Sequence, residues 1–292
     1  MSISTWDEIR TAFHVARMGT VSGAADELGV HHATVIRHID SLEDRLGVKL
    51  FQRHARGYSS TEAGQDLLQV AQATDDQFSQ LVNRIKGRGD EVSGELVITS
   101  LAAASPRLTG TLARFQKQFP DLVIRYLTGE ELLRLEYGEA HVAIRAGSKP
   151  ENPDNVVQPF VPQDVALYAS RDYVEARGLP NSSDDLSGHA FVSYDDFNSR
   201  APFYRWLTET VDPSQIVFRA SDSQVIRDAT LAGVGMGFST VWAAERYPEL
   251  VRVFEPRLDW SIPTWLVTHV DLHRTTKVQA FLTFLKEDAK SW

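Results

Sequence analysis

Cysteine is absent from the 292 residues, which excludes a disulfide framework, a thiolate nucleophile and every cysteine-based metal site. Long apolar runs are absent as well: nothing approaches the roughly 20 residues that a membrane-spanning helix needs. The opening "MSISTWDEIRTAFHVARMG" has no basic stretch followed by an apolar core, so it does not read as a secretory signal. Neither a GxSxG elbow nor a Walker loop occurs, and no GxGxxG follows a strand and opens a helix. The glycine-rich "GVGMGF" comes after a helical pattern instead, which suits a tight turn into a strand. Base is scarce against acid: 30 Lys+Arg face 39 Asp+Glu, a formal net charge of −9. From these absences we expect a cytoplasmic protein, not an enzyme, with no cofactor, no metal and no membrane partner.

The acid excess is unevenly spread. Residues 1–61 hold seven basic and seven acidic residues, so the whole deficit lies beyond them. From Val30 to Thr61, five basic residues (Arg37, Arg45, Lys49, Arg53 and Arg56) face three acidic ones. A local basic patch is enough for an acidic chain to bind nucleic acid. The pattern predicts a helix from about Ser4 to Arg17, a short one from Ser22 to Leu28, and a third beyond Gly29, a residue suited to the left-handed position that ends a helix.

The third helix places Val35, Ile39, Leu42 and Leu46 on one face. Opposite lie Ala33, Thr34, Arg37 and Ser41, with His38 beside them; this face is small, polar and cationic, as a helix entering a major groove requires. Alone, such a face is an ordinary solvated one. Ala24, Ala25 and the glycine turn, which let two helices cross closely, favour the DNA reading. His31 and His32 join the candidate DNA contacts; as neighbours they diverge by about 100° on a helix, and no HExxH spacing supports a metal there. In "KLFQRHARGYSSTEAG", Leu50 and Phe51 read as core, and Arg53 and Arg56 as a basic hairpin for the phosphate backbone or minor groove. Thr61 reads as the cap of the next helix.

That helix, about Glu62 to Lys86, repeats Leu67, Ala71, Thr74, Phe78, Leu81 and Ile85 at spacings of 4, 3, 4, 3 and 4, a heptad seam. With no local core to cover, it is expected to be a dimerisation helix, followed by the linker "KGRGDEVSG". Beyond Ser93, strands such as "GELVITS", "LVIRYL", "HVAIRAG", "VALYAS", "AFVSY" and "IPTWLVTHV" alternate with helices, "EELLRLEYG" among them. This predicts α/β architecture with mainly parallel sheets, in two lobes with a cleft between them.

The stretch "GTVSGAADELGVHHATVIRHIDSLEDRLGVKLFQRHARGYSSTEAGQDLL", Gly19 to Leu68, resembles the winged helix-turn-helix of the LysR-type transcriptional regulators of bacteria. The resemblance is carried by Ala24–Ala25, Leu28–Gly29–Val30, Ile39, Leu42–Glu43, Leu46–Gly47, Leu50–Phe51, Arg53 and Thr61–Glu62–Ala63–Gly64. It continues, in the family's order, through "ITSLAAASPRL", "VAIRAG" and "ATLAGVGMGFST". Four positions depart from the pattern: Ile36 replaces a common DNA-facing serine, His31 a capping Ser or Thr, Ser60 a leucine and His141 a frequent aspartate.

The resemblance implies an α-helical winged helix-turn-helix domain (residues 1–61), a dimerisation helix and linker (62–92) and a two-lobed α/β effector domain (93–292). The last resembles a type II periplasmic-binding-protein fold, with lobe I at about 93–160 and 268–292 and lobe II at about 161–267. The implied partners are double-stranded DNA with an inverted repeat, a small-molecule effector, further copies of the chain as dimer or tetramer, and RNA polymerase.

In α/β clefts, ligands meet the carboxyl ends of strands. The effector candidates are therefore Thr99, Ser100 and Leu101 after the first strand, Thr128 and Arg145 at the second and third, and Tyr194, Phe203 and Ser221 from the other lobe. Ser105 opens a helix whose amides favour an anion, so an aromatic or carboxylated effector is expected. Other roles stay open: Ser100 and Thr128 as caps, Arg145 as an ion-pair partner, and the whole α/β part as an assembly module.

Overall fold

The computed structural model describes residues 6–54, 57–85, 92–129, 133–135, 138–183, 185–196, 199 and 201–292. At its N-terminal end α1 (Trp6–Met18), α2 (Val21–Leu28) and α3 (His32–Leu46) enclose Ala12, Val15, Ala24, Ala25, Val35, Ile39 and Leu42. The alanines let α2 cross its neighbours closely. The Thr20 hydroxyl accepts the Gly23 N–H at 3.1 Å and starts α2, and Gly29, at φ 64°, turns the chain out of it. Ile36 packs at the margin of this core. Leu46 corrects the expected face: it is the last residue of α3 and stays 43% exposed, because the chain turns at Gly47 before anything covers it.

β1 (Phe51–His54) and β2 (Gly57–Ser60) form an antiparallel wing, tied to the start of α2 by the Tyr58 N–H donating to the Gly19 carbonyl at 2.9 Å. α4 (Glu62–Ile85) begins under the wing, where the Thr61 hydroxyl accepts the Gly64 N–H at 3.2 Å. Only glycine fits there: a Cβ on Gly64 would stand 2.1 Å from the Leu50 carbonyl oxygen.

α4 was expected to have no local core to cover, and this is corrected. Leu67 packs on the helix-turn-helix core, Ala71 is buried, and Phe78 meets Trp6 edge-on at 5.3 Å between ring centres. The reason lies in α1, whose second apolar side, Trp6, Ile9 and Phe13, is what α4 lies across. Thr74 is half-buried; the side chains of Leu81 and Ile85 lie outside the described residues.

The remaining strands are β3 (Gly94–Ser100), β4 (Leu122–Thr128), β5 (Val142–Ala146), β6 (Asn155–Pro159), β7 (Val165–Ser170), β8 (Phe191–Tyr194), β9 (Ile216–Ala220), β10 (Gly237–Thr240), β11 (Leu250–Arg252) and β12 (Thr264–His269). Between and after them run α5 (Ser105–Gln118), α6 (Arg171–Arg177), α7 (Pro202–Thr210), α8 (Ser223–Leu231), α9 (Val241–Ala244), α10 (Val270–His273) and α11 (Thr276–Asp288). Lobe I is a five-stranded sheet in the order β4-β3-β5-β12-β6, with Phe115 and Phe281 bringing α5 and α11 together over it. Lobe II contains β10-β7-β11 and β8-β9, around Leu167, Phe191, Leu207 and Trp260.

Pairing is parallel where helices connect β3 to β4 and β8 to β9, and between β3 and β5. It is antiparallel for β12 with β5 and β6 and for β7 with β10 and β11, so the sheets are mixed rather than mainly parallel. β12 also corrects the expected lobe boundary. It belongs to the lobe I sheet from Thr264 onward, so the chain re-enters lobe I before residue 268. At the crossover Gln163 and Ile262 exchange backbone hydrogen bonds of 2.8 and 2.9 Å, a two-strand hinge between the lobes. Most of the "EELLRLEYG" segment lies outside the described residues.

Candidate functional site

The first site is the outer face of the helix-turn-helix. His31 precedes α3 in an extended conformation without a side-chain cap bond, which leaves its ring on the surface with His32, Ala33 and Arg37; Thr34 is half-buried beside them. Most cations of this domain are neutralised internally: Arg17 by Glu27, Arg45 by Glu8, and Lys49 and Arg53 by Glu43. Arg37 has no such partner among the described residues. It is an outward charge on a groove-sized face.

Three candidates are less available than the sequence suggested. His38 turns toward α1, its Nδ1 2.9 Å from the Thr11 hydroxyl, and the Ser41 hydroxyl donates to Glu8 at 3.0 Å. They correct the expected outward set, because α1 crosses that flank of α3. Arg53 donates to Asp40, reaches Glu43 at 3.4 Å and lies over the Tyr58 ring, so it braces the wing against α3. Arg56 lies outside the described residues.

The brace centres on a buried carboxylate. Glu43 accepts the N–H groups of Leu50 and Phe51 at 2.9 and 3.2 Å and the Lys49 ammonium at 2.7 Å. Burial pushes its pKa up, but the Lys49 bond and the two amide bonds outweigh that and hold it below the ordinary range.

The second site is a cavity of about 590 Å³ between the lobes. Lobe I contributes Leu101 to Ala104 after β3, Arg107 of α5, Gly129 and Arg145 of β5; lobe II contributes Tyr194, Phe203, Tyr204, Ser221 to Ser223, Arg227, Phe238 and Trp242. The wall is aromatic, with Tyr194 and Tyr204 stacked at 5.9 Å and Phe238 edge-on to Tyr204 at the same distance. Burial, then the neighbouring Tyr194, pushes the Tyr204 phenol well above its ordinary pKa, so it stays a neutral donor. Arg145 is half-buried, has no carboxylate partner among the described residues, and is lowered in pKa by burial alone. Arg227 also lines the cavity, with its Nε buried and unbonded. Against three arginines, of which Arg227 reaches Asp228 at 3.6 Å, the described wall sets one carboxylate, Asp222, which is engaged in capping α8 at Gln224.

Of the candidates, Leu101, Arg145, Tyr194, Phe203 and Ser221 come together here. Thr99, Ser100 and Thr128 do not line the cavity. Thr99 and Ser100 are buried in the sheet, and the Ser100 hydroxyl lies 2.6 Å from the Tyr126 hydroxyl, while Thr128 is exposed away from it. Arg107, Gln163, Tyr204, Arg227, Trp242 and Trp292 were missed. Arg107, Tyr204 and Arg227 sit on helices, Gln163 at the hinge and Trp292 after the last helical turn, so the strand-end rule passes over them; Trp242 follows β10 directly and was open to it. His141, an expected departure from the family pattern, is core: its Nδ1 accepts the Val97 N–H at 2.9 Å, tying β3 to the residue before β5.

Among the described residues no helix is long and apolar enough to cross a membrane, and no cluster of three or more potential metal ligands occurs.

Residues 6–65 match the family described as "Bacterial regulatory helix-turn-helix protein, lysR family", and residues 89–290 match "LysR substrate binding domain". The chain is 35% identical over 253 residues to the transcriptional activator IlvY of Salmonella typhimurium, covering 84% of this chain and 85% of that one. It is 24% identical to the uncharacterized transcriptional regulator YcaN of Escherichia coli, over 96% and 94% of the two chains. Among solved structures it is similar to CrgA, a LysR-type regulator from Neisseria meningitidis, with a TM-score of 0.60, 22% identity and coverage of 97% and 98%. A full-length OxyR variant from Pseudomonas aeruginosa gives a TM-score of 0.71 at 15% identity, with coverage of 99% and 96%.

Proposed function

The chain belongs to the LysR-type family of DNA-binding transcriptional regulators, and from that premise we propose how it reads DNA and what it senses. Residues 1–61 read an inverted-repeat operator through the α3 face of His31, His32, Ala33, Thr34 and Arg37, with the wing laid against the backbone. Residues 62–92 join two copies, and residues 93–292 hold a small acidic effector, without catalysis, between the lobes. Pairs assemble further into tetramers and meet RNA polymerase at the promoter, in the cytoplasm. A solved relative, full-length CbnR in complex with its target DNA, supports the DNA half by its similar fold, with a TM-score of 0.53.

The observation that carries the sensing half is Arg145, a half-buried cation without a carboxylate partner among the described residues, facing an aromatic-walled cavity. A buried charge of this kind is costly unless something pairs with it. The same cavity argues against a purely architectural α/β domain, which has no use for unpaired arginines around an open cleft. An operator selected from random duplexes should lose affinity at least tenfold on Arg37→Glu. Thermal-shift screening of organic acids should find ligands that stabilise the chain but not its Arg145→Ala variant. Selection of no sequence, or acid stabilisation untouched by Arg145→Ala, overturns the corresponding half.

A further inference from the structure

Arg107 projects from the first turn of α5 into the cleft, and its guanidinium lies against two indoles. Its central carbon is 4.8 Å from the ring centre of Trp242 and 5.0 Å from that of Trp292. Trp242 belongs to α9 of lobe II, while Trp292 follows α11 of lobe I, so the cage is built from both lobes. Neither indole is loose. Trp242 donates its Nε1–H to the Gln163 side chain at the hinge, and Trp292 stands edge-on to Phe160 at 5.3 Å.

A guanidinium carries its N–H donors in its own plane, at the edge away from rings that lie over it, where a carboxylate accepts two of them side by side. Among the described residues those donors have no hydrogen-bond or ion-pair partner, and Glu245 acts on Arg107 only through space. The stacking accounts for where the side chain is held. It leaves the in-plane donors unsatisfied in a partly desolvated setting, which is costly unless an acceptor arrives.

We propose that Arg107, caged by Trp242 and Trp292, is a second acid-binding group of the cleft, so that the effector is a dianion: an apolar or aromatic body with one acid for Arg145 and one for Arg107. This rests on the reading of the cleft as an acid-binding site. The aromatic wall fits the body, and Arg107 and Arg145 line one and the same cavity, whose volume of about 590 Å³ is that of a small-molecule site. Because the cage draws one indole from each lobe, an acid seated on Arg107 also reports the closeness of the lobes.

The test is calorimetric titration of the full-length chain with acids matched in body: benzoate against terephthalate, and hexanoate against adipate. In at least one pair the dicarboxylate binds tenfold or more tightly than the monocarboxylate. Arg107→Ala reduces that ratio to threefold or less. Arg107→Lys, which keeps the charge but not the planar fork, also cuts it. Arg145→Ala weakens both members of the pair. Equal binding of mono- and dicarboxylates, or a dicarboxylate advantage that survives both Arg107 variants, overturns the inference and leaves the acid-binding cleft standing. Inorganic phosphate binding as tightly as the best dicarboxylate overturns it too, since both charges then sit at one point. If no acid binds, or binding ignores Arg145→Ala, the reading of the cleft falls and the inference with it.

Discussion

Glu43 is held by three elements at once: it projects from α3, accepts two amides from the segment entering β1, and meets Lys49 between them. Removing the carboxylate strands two buried N–H groups, at about 1–3 kcal/mol each. Glu43→Ala should therefore destabilise the N-terminal domain by roughly 2–4 kcal/mol, read as the loss of hydrogen-exchange protection at the Leu50 and Phe51 amides. The pH dependence has a definite sign. With its pKa depressed in the folded state, Glu43 contributes stability above its unfolded pKa of about 4.3, and that contribution is lost as pH falls through the lower folded value. Protection of the two amides should fall with it, and Glu43→Gln should flatten the dependence. An unchanged acid limb in Glu43→Gln would assign it to other carboxylates. The sequence shows Glu43 only as a polar residue beside the apolar stripe, since its partners arrive after a turn that periodicity does not describe. Ser100 is the converse case: visible at a strand end, it bonds to Tyr126 once β4 takes its register.

At the scale of elements, periodicity locates α1 to α4 to within a few residues, because one buried face of a helix suffices to mark it. Periodicity does not show that two faces of α1 are covered, and so α4 reads in the sequence as a helix with nothing to pack on. The structure nonetheless leaves Trp6, Phe78 and Val82 between 40% and 48% exposed around a groove of about 360 Å³ between α1 and α4, which Arg10 and Asp75 also line. Under the proposed pairing through residues 62–92, this groove, rather than the whole heptad seam, is the surface on which a second copy would dock. On that proposal, Phe78→Asp combined with Val82→Asp should lower the oligomeric mass read by light scattering and weaken operator binding, since each half-site alone holds a monomer less tightly. A dimer that persists places the interface elsewhere. The order of strands was less legible than the helices. Alternation signals a strand, but β12 pairs antiparallel between β5 and β6 only because the chain has first built lobe II, a long-range event that no local pattern records.

Across the whole molecule, charge is segregated: the net −9 lies beyond residue 61, while the described lining of the cleft in that acidic part holds three arginines and one aspartate. A local excess of base inside an acidic shell favours small anions over nucleic acid, whose extended phosphate backbone meets the repulsive exterior. Two chain crossings at Gln163 and Ile262 join the lobes, so an acid that touches both sides of the cleft favours whichever arrangement of the lobes it binds more tightly. At a hundredfold its dissociation constant such a ligand adds about 2.7 kcal/mol of apparent stability, whichever arrangement it prefers. Control of DNA binding is a separate demand, met only by differential affinity for the two arrangements. Linkage then fixes the form of the result: the factor by which a saturating acid changes operator affinity must equal the factor by which operator changes acid affinity. Titrating acid into the full-length chain with and without operator, and operator with and without acid, should give the same factor, about 5- to 150-fold for a coupling of 1–3 kcal/mol. In Arg145→Ala the acid concentration needed to reach that factor should rise in proportion to the lost affinity. A factor of one in the unmodified chain, measured alongside clear acid binding, would show a cleft that binds its ligand without governing the operator.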